Sequence, residues 1–393
     1  MPAERTERLV SLDAYRGFIM ICLAANGFGI YQTFKDHPTG SWTRQLALQF
    51  EHVPWTGCAF WDLIQPSFMF MVGVALPFSL AKRASSGANA WQRGLHAAIR
   101  AVVLVLLGIW LSSNGPATNF TFVNVLSQIG LGYYFLYLLA DRPRWLQGLT
   151  AAGILLGYWA WFATAPLPPD DFDYAAVGVP DDFPRLSGFE AHWQKNANVA
   201  AAFDVWFLNL FPRPDGEPFR FNPGGYQTLN FVPSLATMIF GLMAGELIRR
   251  NIGRGRTFFV LMLAGLLLLA AGYGAAQAGY CPLVKRLWTP SWTLFSTGWT
   301  LLFLSGFYGV IDGLGWKAWA FPCVVAGMNS MTLYLMGQTL KGATLKNLER
   351  HFGTGWYEVA GGAYAPMIQS CAVLLVFWLF VYWLYRQRVF LKV

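Results

Sequence analysis

Apolar runs, each close to the ~20 residues a helix needs to cross a bilayer core, follow one another along this chain. They fall at about 17–34, 60–81, 95–112, 120–140, 145–165, 229–248, 257–279, 292–311, 318–340 and 363–385. This pattern predicts an all-α polytopic membrane protein with about ten transmembrane helices. Two runs carry polar residues inside them: Asn124 and Gln128 in the fourth, Asn329 and Gln338 in the ninth. Between the fifth and sixth lies the one long extramembrane segment, about 166–228, rich in Pro, Asp and Trp. It reads either as a solvated connection or as a lid or platform over a site, since long ordered loops are often functional. Residues 1–393 otherwise read as one transmembrane domain.

Composition strengthens this picture. Of 393 residues, 55% are hydrophobic and 12% charged, against about 25% charged in soluble domains. The 18 Trp, 16 Tyr and 32 Phe suit aromatic belts at two membrane interfaces. The net charge of +8 reads as topology bias, because Lys82, Arg83, Arg93, Arg142, Arg144, Arg249, Arg250, Arg254 and Arg256 all fall in short alternate loops. The positive-inside rule then gives an N-in, C-in arrangement with the long loop outside. No basic run interleaves with aromatics, which argues against a nucleic-acid partner. The first run reads as an uncleaved span, not a signal peptide. No Cys or His spacing resembles a metal site. Cys58 and Cys281 both fall near the outer face, where a disulfide between them is an open alternative to two free thiols.

The polar residues that do not belong in lipid are the candidates for chemistry. His52 stands just before the second run, with Asp62 ten residues on, and imidazole is the side chain best placed to move protons near neutral pH. The loop charges put His52 on the outer face. Asn26 lies in the first run, followed by Gly27 and Gly29; its amide can orient a reacting group or bond across helices. Asp13 and Arg16 share a helix face at the inner mouth of that run and can pair. Arg100 sits in the third run, where a guanidinium favours phosphate or carboxylate partners or snorkels to lipid phosphate. Glu246 stands three residues before Arg249, a spacing that suggests an ion pair. Asn329 and Ser330 are polar groups deep in the ninth run, suited to ligand contact or helix packing.

These residues lie in stretches that together resemble one family, the transmembrane acyltransferases typified by heparan-α-glucosaminide N-acetyltransferase. The stretches are SLDAYRG from Ser11, HVPWTGCAFWDLIQPSFMFMVGVALPFSL from His52, VLSQIGLGYYF from Val125, GLMAGELI, RLWTPSWTLFSTG, GMNSMTLYL and the terminal LYRQRVFLKV. They run in order along nearly the whole chain, and the H-x-x-W-x-G-x5-D-L element is the most specific. The resemblance implies transfer of an acetyl group from cytosolic acetyl-CoA, as acyl-donor substrate and with no metal, to an amino sugar or other glycan across the membrane. It implies His52 as general base or transient acyl carrier, Asn26 and Asp62 beside it, and Arg100, Arg16, Asn329 and Ser330 as contacts to the donor. Membrane lipid and a second copy in a homodimer are the further partners it implies. The closest reading is the bacterial branch, with the protein in the inner membrane and His52 facing the periplasm. Two positions depart from the family pattern: Gln128 stands where it has arginine, and Gln338 where it has histidine. The competing expectation is a polytopic transporter of a small solute or envelope precursor, which the lack of a clear internal repeat weakens.

Overall fold

The computed structural model describes residues 9–391. These fold into α-helices joined by short 3-10 turns, and among them no strand forms; the one β-type contact is an isolated antiparallel bridge between Thr56 and Val284. In chain order the helices are α1 (Val10–Ala24), α2 (Ile30–Phe34), α3 (Trp42–Leu48), α4 (Ile64–Ser85), α5 (Ala90–Ser112), α6 (Val125–Leu139), α7 (Arg144–Ala163) and α8 (Val199–Leu208). Then follow α9 (Phe231–Arg249), α10 (Arg254–Gln277), α11 (Pro290–Phe307), α12 (Phe321–Met328), α13 (Ser330–Thr339), α14 (Lys341–Phe352) and α15 (Ala365–Arg386).

Among the described residues, six stretches are long and apolar enough to cross a membrane: Phe60–Ser85, Ala90–Ser112, Thr228–Arg249, Arg254–Gln277, Pro290–Gly313 and Gly362–Arg386. The protein is an integral membrane protein. Two broken pairs raise the number of spans to as many as eight. One is α1 with Asn26–Phe34, bent by 50°; the other is Ala318–Met328 with α13, bent by 70°. The remaining two of the ten expected spans are weaker. α6 has 15 residues, because the Asn124 side chain caps it by accepting the Leu126 N–H at 2.9 Å and delays its start. α7 has 20 residues, but Gln147 and three glycines dilute its apolar character.

Helix pairing follows the small residues. α4 lies against α9, with Gly73 facing the Met238 carbonyl and Gly241 facing the Phe70 carbonyl so closely that neither position has room for a Cβ. α1 and α12 meet in the same way at Gly17 and Gly327. Small residues let backbones approach where lipid supplies no hydrophobic drive between helices.

The 166–228 segment is packed rather than simply solvated. Trp193 is fully buried, stacks on Phe162 of α7 and joins Trp55, Tyr158, Val284 and Leu287 in one apolar cluster. That cluster ties the segment to α7, to the loop before α4 and to the stretch before α11.

Candidate functional site

The loop between α3 and α4 is closed at its base, where the Trp61 N–H donates to Gln49 O (2.9 Å) and the Phe60 N–H to the Gln49 side chain (3.1 Å). Its tip is tied elsewhere. The Gly57 N–H donates to Leu283 O at 2.9 Å, with Gly57 at φ +110, a backbone conformation that favours glycine. Buried Trp55 donates its indole N–H to Trp193 O at 3.1 Å. The loop thus holds its shape through the neighbours that surround it.

Inside it, Asp62 is the organising group. Its side chain is 1% exposed and accepts from the Ala59 N–H (3.0 Å), the Val53 N–H (3.3 Å) and His52 Nδ1 (2.7 Å). Lys285 Nζ lies 3.4 Å from the same Asp62 oxygen and 3.1 Å from His52 Nδ1, with its side chain 5% exposed. A 2.7 Å contact between ring nitrogen and carboxylate oxygen requires a proton between them, so Nδ1 carries the hydrogen and the Lys285 ammonium directs its own towards Asp62. Nε2 is then the imidazole's free lone pair, on a side chain that is 32% exposed. The arrangement can take up a proton, or attack an electrophile, at Nε2. Nearby Cys58 and Cys281 are free thiols. Burial pushes Cys58 up to about 12, helped by Asp62 and opposed by Lys285, and burial pushes Cys281 up to about 11. Neither thiol competes as a nucleophile.

Asn26 sits at the break in the first span. Residues 26–29 all have positive φ (48°, 60°, 57° and 66°), a left-handed turn that Gly27 and Gly29 make affordable. The turn packs on the loop: a Cβ at Gly27 would lie 2.9 Å from Phe50 and 3.5 Å from Trp61, and the Trp61 ring is 6.5 Å from the His52 ring. The structure therefore brings the Asn26 turn and His52 to the same aromatic pair. Asn26 itself is exposed, and among the described residues no hydrogen bond joins its side chain to His52.

The four residues expected to contact the donor occupy two places. Arg100, on α5, donates to the Tyr133 hydroxyl at 3.2 Å, lies 4.6 Å over that ring and shares an electrostatic neighbourhood with Arg83 at the far end of α4. Arg16 reaches Gly327 O at 3.4 Å and lies 3.8 Å from Asp13. That contact puts it beside the α12–α13 break, where Asn329 is fully buried, accepts the Leu391 N–H at 3.3 Å and is followed by Ser330 at the start of α13.

The site also contains a residue that sequence reading missed. Lys285 is 233 positions from His52, and the only hint was the Lys285–Arg286 pair interrupting the apolar stretch CPLVKRLW. A second missed feature lies at the opposite end of α4. A cavity of ≈ 430 Å³ opens there between Pro77, Ala81 and Ala84 of α4, Arg93 of α5, Asp141, Glu246 and Arg249 of α9, and Arg250. Glu246, whose spacing suggests Arg249, instead accepts from Arg144 (3.4 Å) and Gln147 (2.8 Å). Arg93, Arg249 and Arg250 are left as the cavity's positive charges.

Residues 8–177 match the family model described as heparan-alpha-glucosaminide N-acetyltransferase, catalytic. The matched part holds Asn26, His52, Asp62 and Arg100 and ends before Lys285. Over 430 aligned residues the chain is 21% identical to human heparan-alpha-glucosaminide N-acetyltransferase and 20% identical to the mouse protein of the same name. Each alignment covers 98% of this chain and 60% of the relative, so the chain spans about 60% of the length of these curated relatives. The resemblance read from the sequence is borne out.

Proposed function

We propose that this protein is a transmembrane acetyltransferase that moves an acetyl group from acetyl-CoA on one side of the membrane to an amino sugar or glycan on the other. The observation that carries this reading is the His52–Asp62 pair, bonded through Nδ1 at 2.7 Å and leaving Nε2 open. A cavity at the other end of α4, which Arg93, Arg249 and Arg250 line, supports it. Twenty-two residues of helix separate the two, roughly 30 Å at 1.5 Å per residue.

In this reading the acceptor's amine or hydroxyl attacks the thioester carbonyl while His52 Nε2 takes its proton. The carbonyl carbon–sulfur bond breaks, and the departing thiolate of CoA receives that proton from the imidazolium. Asp62 holds the ring orientation and stabilises the transient cation, and Asn26 hydrogen-bonds the acyl oxygen as charge develops on it. A transient acetyl group on Nε2, passed on in a second step, uses the same geometry. Arg93, Arg249 and Arg250, with Arg100 on the neighbouring α5 face, supply charge for the phosphates of the donor. Arg16, Asn329 and Ser330 are proposed as further donor contacts at the α12–α13 break. The loop charges support an inner-membrane orientation with the cavity towards the cytosol and His52 towards the periplasm.

Sealed vesicles of one orientation test this. With glucosamine trapped on the His52 side and labelled acetyl-CoA added only on the cavity side, acetylated sugar accumulates inside the vesicle. Product that forms only when donor and acceptor share a side would refute the trans-membrane reading.

A further inference from the structure

The His52 ring stands between one carboxylate and one ammonium, and the charge balance of the three groups decides which protonation state the site holds. Asp62 takes two backbone N–H groups besides the imidazole, and these donors favour its ionised form. With Asp62 negative and Lys285 positive, a neutral imidazole leaves the trio balanced. A proton added to the ring would set two cations 3.1 Å apart, in a place where Asp62 and Lys285 have almost no water to screen them. Without Lys285 the preference inverts, because the buried Asp62 anion would then have the imidazolium as its counter-ion.

The other charged or titratable groups around the ring do not upset this balance. The Glu51 side chain accepts the His52 backbone N–H at 3.1 Å and is partly open to solvent. Arg286 turns away, donating to Gly224 O at 2.7 Å with its guanidinium 5.6 Å over the Tyr226 ring. Lys195 lies 4.8 Å over the Phe183 ring, and the raised Cys58 thiol stays neutral. Lys285 is the cation in contact with the ring. Its backbone is held independently of its side chain, by the Thr56–Val284 bridge and by the Asn230 side chain donating to Arg286 O at 2.8 Å.

We propose that Lys285 is a positioning residue that holds the His52 imidazole neutral, with its proton on Nδ1 towards Asp62, so that Nε2 meets the reacting groups as a base. The encounter of Nε2 with reacting groups rests on the function proposed above; the protonation state does not, and it can be read without acyl transfer. Lys285 also makes the imidazolium formed during turnover short-lived, because the cation next to it favours release of the proton to the leaving thiolate.

The test uses the purified full-length protein and diethyl pyrocarbonate, which carbethoxylates neutral imidazole and spares imidazolium. Modification of His52 is followed by mass spectrometry across pH, with exposed His351 as the internal reference. In Lys285→Met the acid limb of the His52 profile moves to higher pH, making modification about tenfold slower at a fixed acidic pH for each unit of displacement, while His351 is unchanged. In Asp62→Asn the limb moves the other way. Opposite displacements from neighbouring substitutions follow from charge balance, whereas general loosening moves both in one direction. A Lys285→Met profile that superimposes on the wild type, or moves to lower pH, overturns the proposal. If Lys285→Met does not fold, Lys285→Gln takes its place, with the same displacement to higher pH expected, and an unmoved or downward-shifted limb overturns the proposal. A failure of acetyl transfer leaves this readout intact, so the two claims fail separately.

Discussion

Asp62 and Asp204 are the most deeply buried carboxylates among the described residues, and their surroundings set them apart. Asp62 has two amides, an imidazole and an ammonium around it. Asp204, in α8, is fully buried and has the Thr228 N–H on one oxygen at 2.9 Å, while its other oxygen meets no donor among the described residues. Burial pushes Asp204 up to about 6, against a smaller opposing effect from the Thr228 N–H. The folded chain therefore keeps a proton that the unfolded chain releases near pH 4. Its stabilising contribution is fully present below that pH and is lost as pH rises through about 6. The two-unit displacement corresponds to about 3 kcal/mol. Thermal unfolding in detergent at pH 4.5 and 7 is expected to show a loss on going to pH 7 that Asp204→Asn reduces; equal pH dependence in both proteins would contradict the assignment. His52 and Asp62 were legible as a pair from ten-residue spacing beside an apolar run. Lys285 was not, because no local pattern reports a partner that only tertiary folding delivers.

At the scale of elements, the long helices were readable because lipid demands continuous apolar length, and six of the expected spans meet that demand outright. The breaks were only half readable. Asn26, Gly27 and Gly29 mark where the first span turns left-handed, and Asn329 marks the 70° bend in the ninth, yet a polar residue in a span predicts a bend and a helix contact equally well. Helix partners were not readable at all: the tightness of α4 against α9 comes from which glycine meets which carbonyl. Gly73→Leu is expected to cost at least 1–3 kcal/mol by overpacking, since its side chain would meet the Met238 backbone, which cannot rotate away. Gly153→Leu, in a helix position with open space around it, should leave the melting temperature nearly unchanged. Similar melting temperatures for the two variants would show that the α4–α9 crossing is not as close as described.

At the scale of the whole molecule, the arrangement has two ends. One holds an imidazole with a free lone pair in a loop tied down by buried Trp55, and the other a cavity lined by Arg93, Arg249 and Arg250 together with Asp141 and Glu246. The cavity was not legible in the sequence, because it arises from four helix ends, those of α4, α5, α6 and α9, that are far apart along the chain. The central claim is that acyl transfer is completed at His52. The most direct measurement is transfer of labelled acetyl from acetyl-CoA to glucosamine by purified wild-type protein and by folded His52→Ala protein, with acetyl-CoA affinity measured on both. The account predicts product from the wild type, a loss of about 10²–10⁴-fold in His52→Ala, and unchanged donor affinity. Wild-type rates from His52→Ala would contradict it.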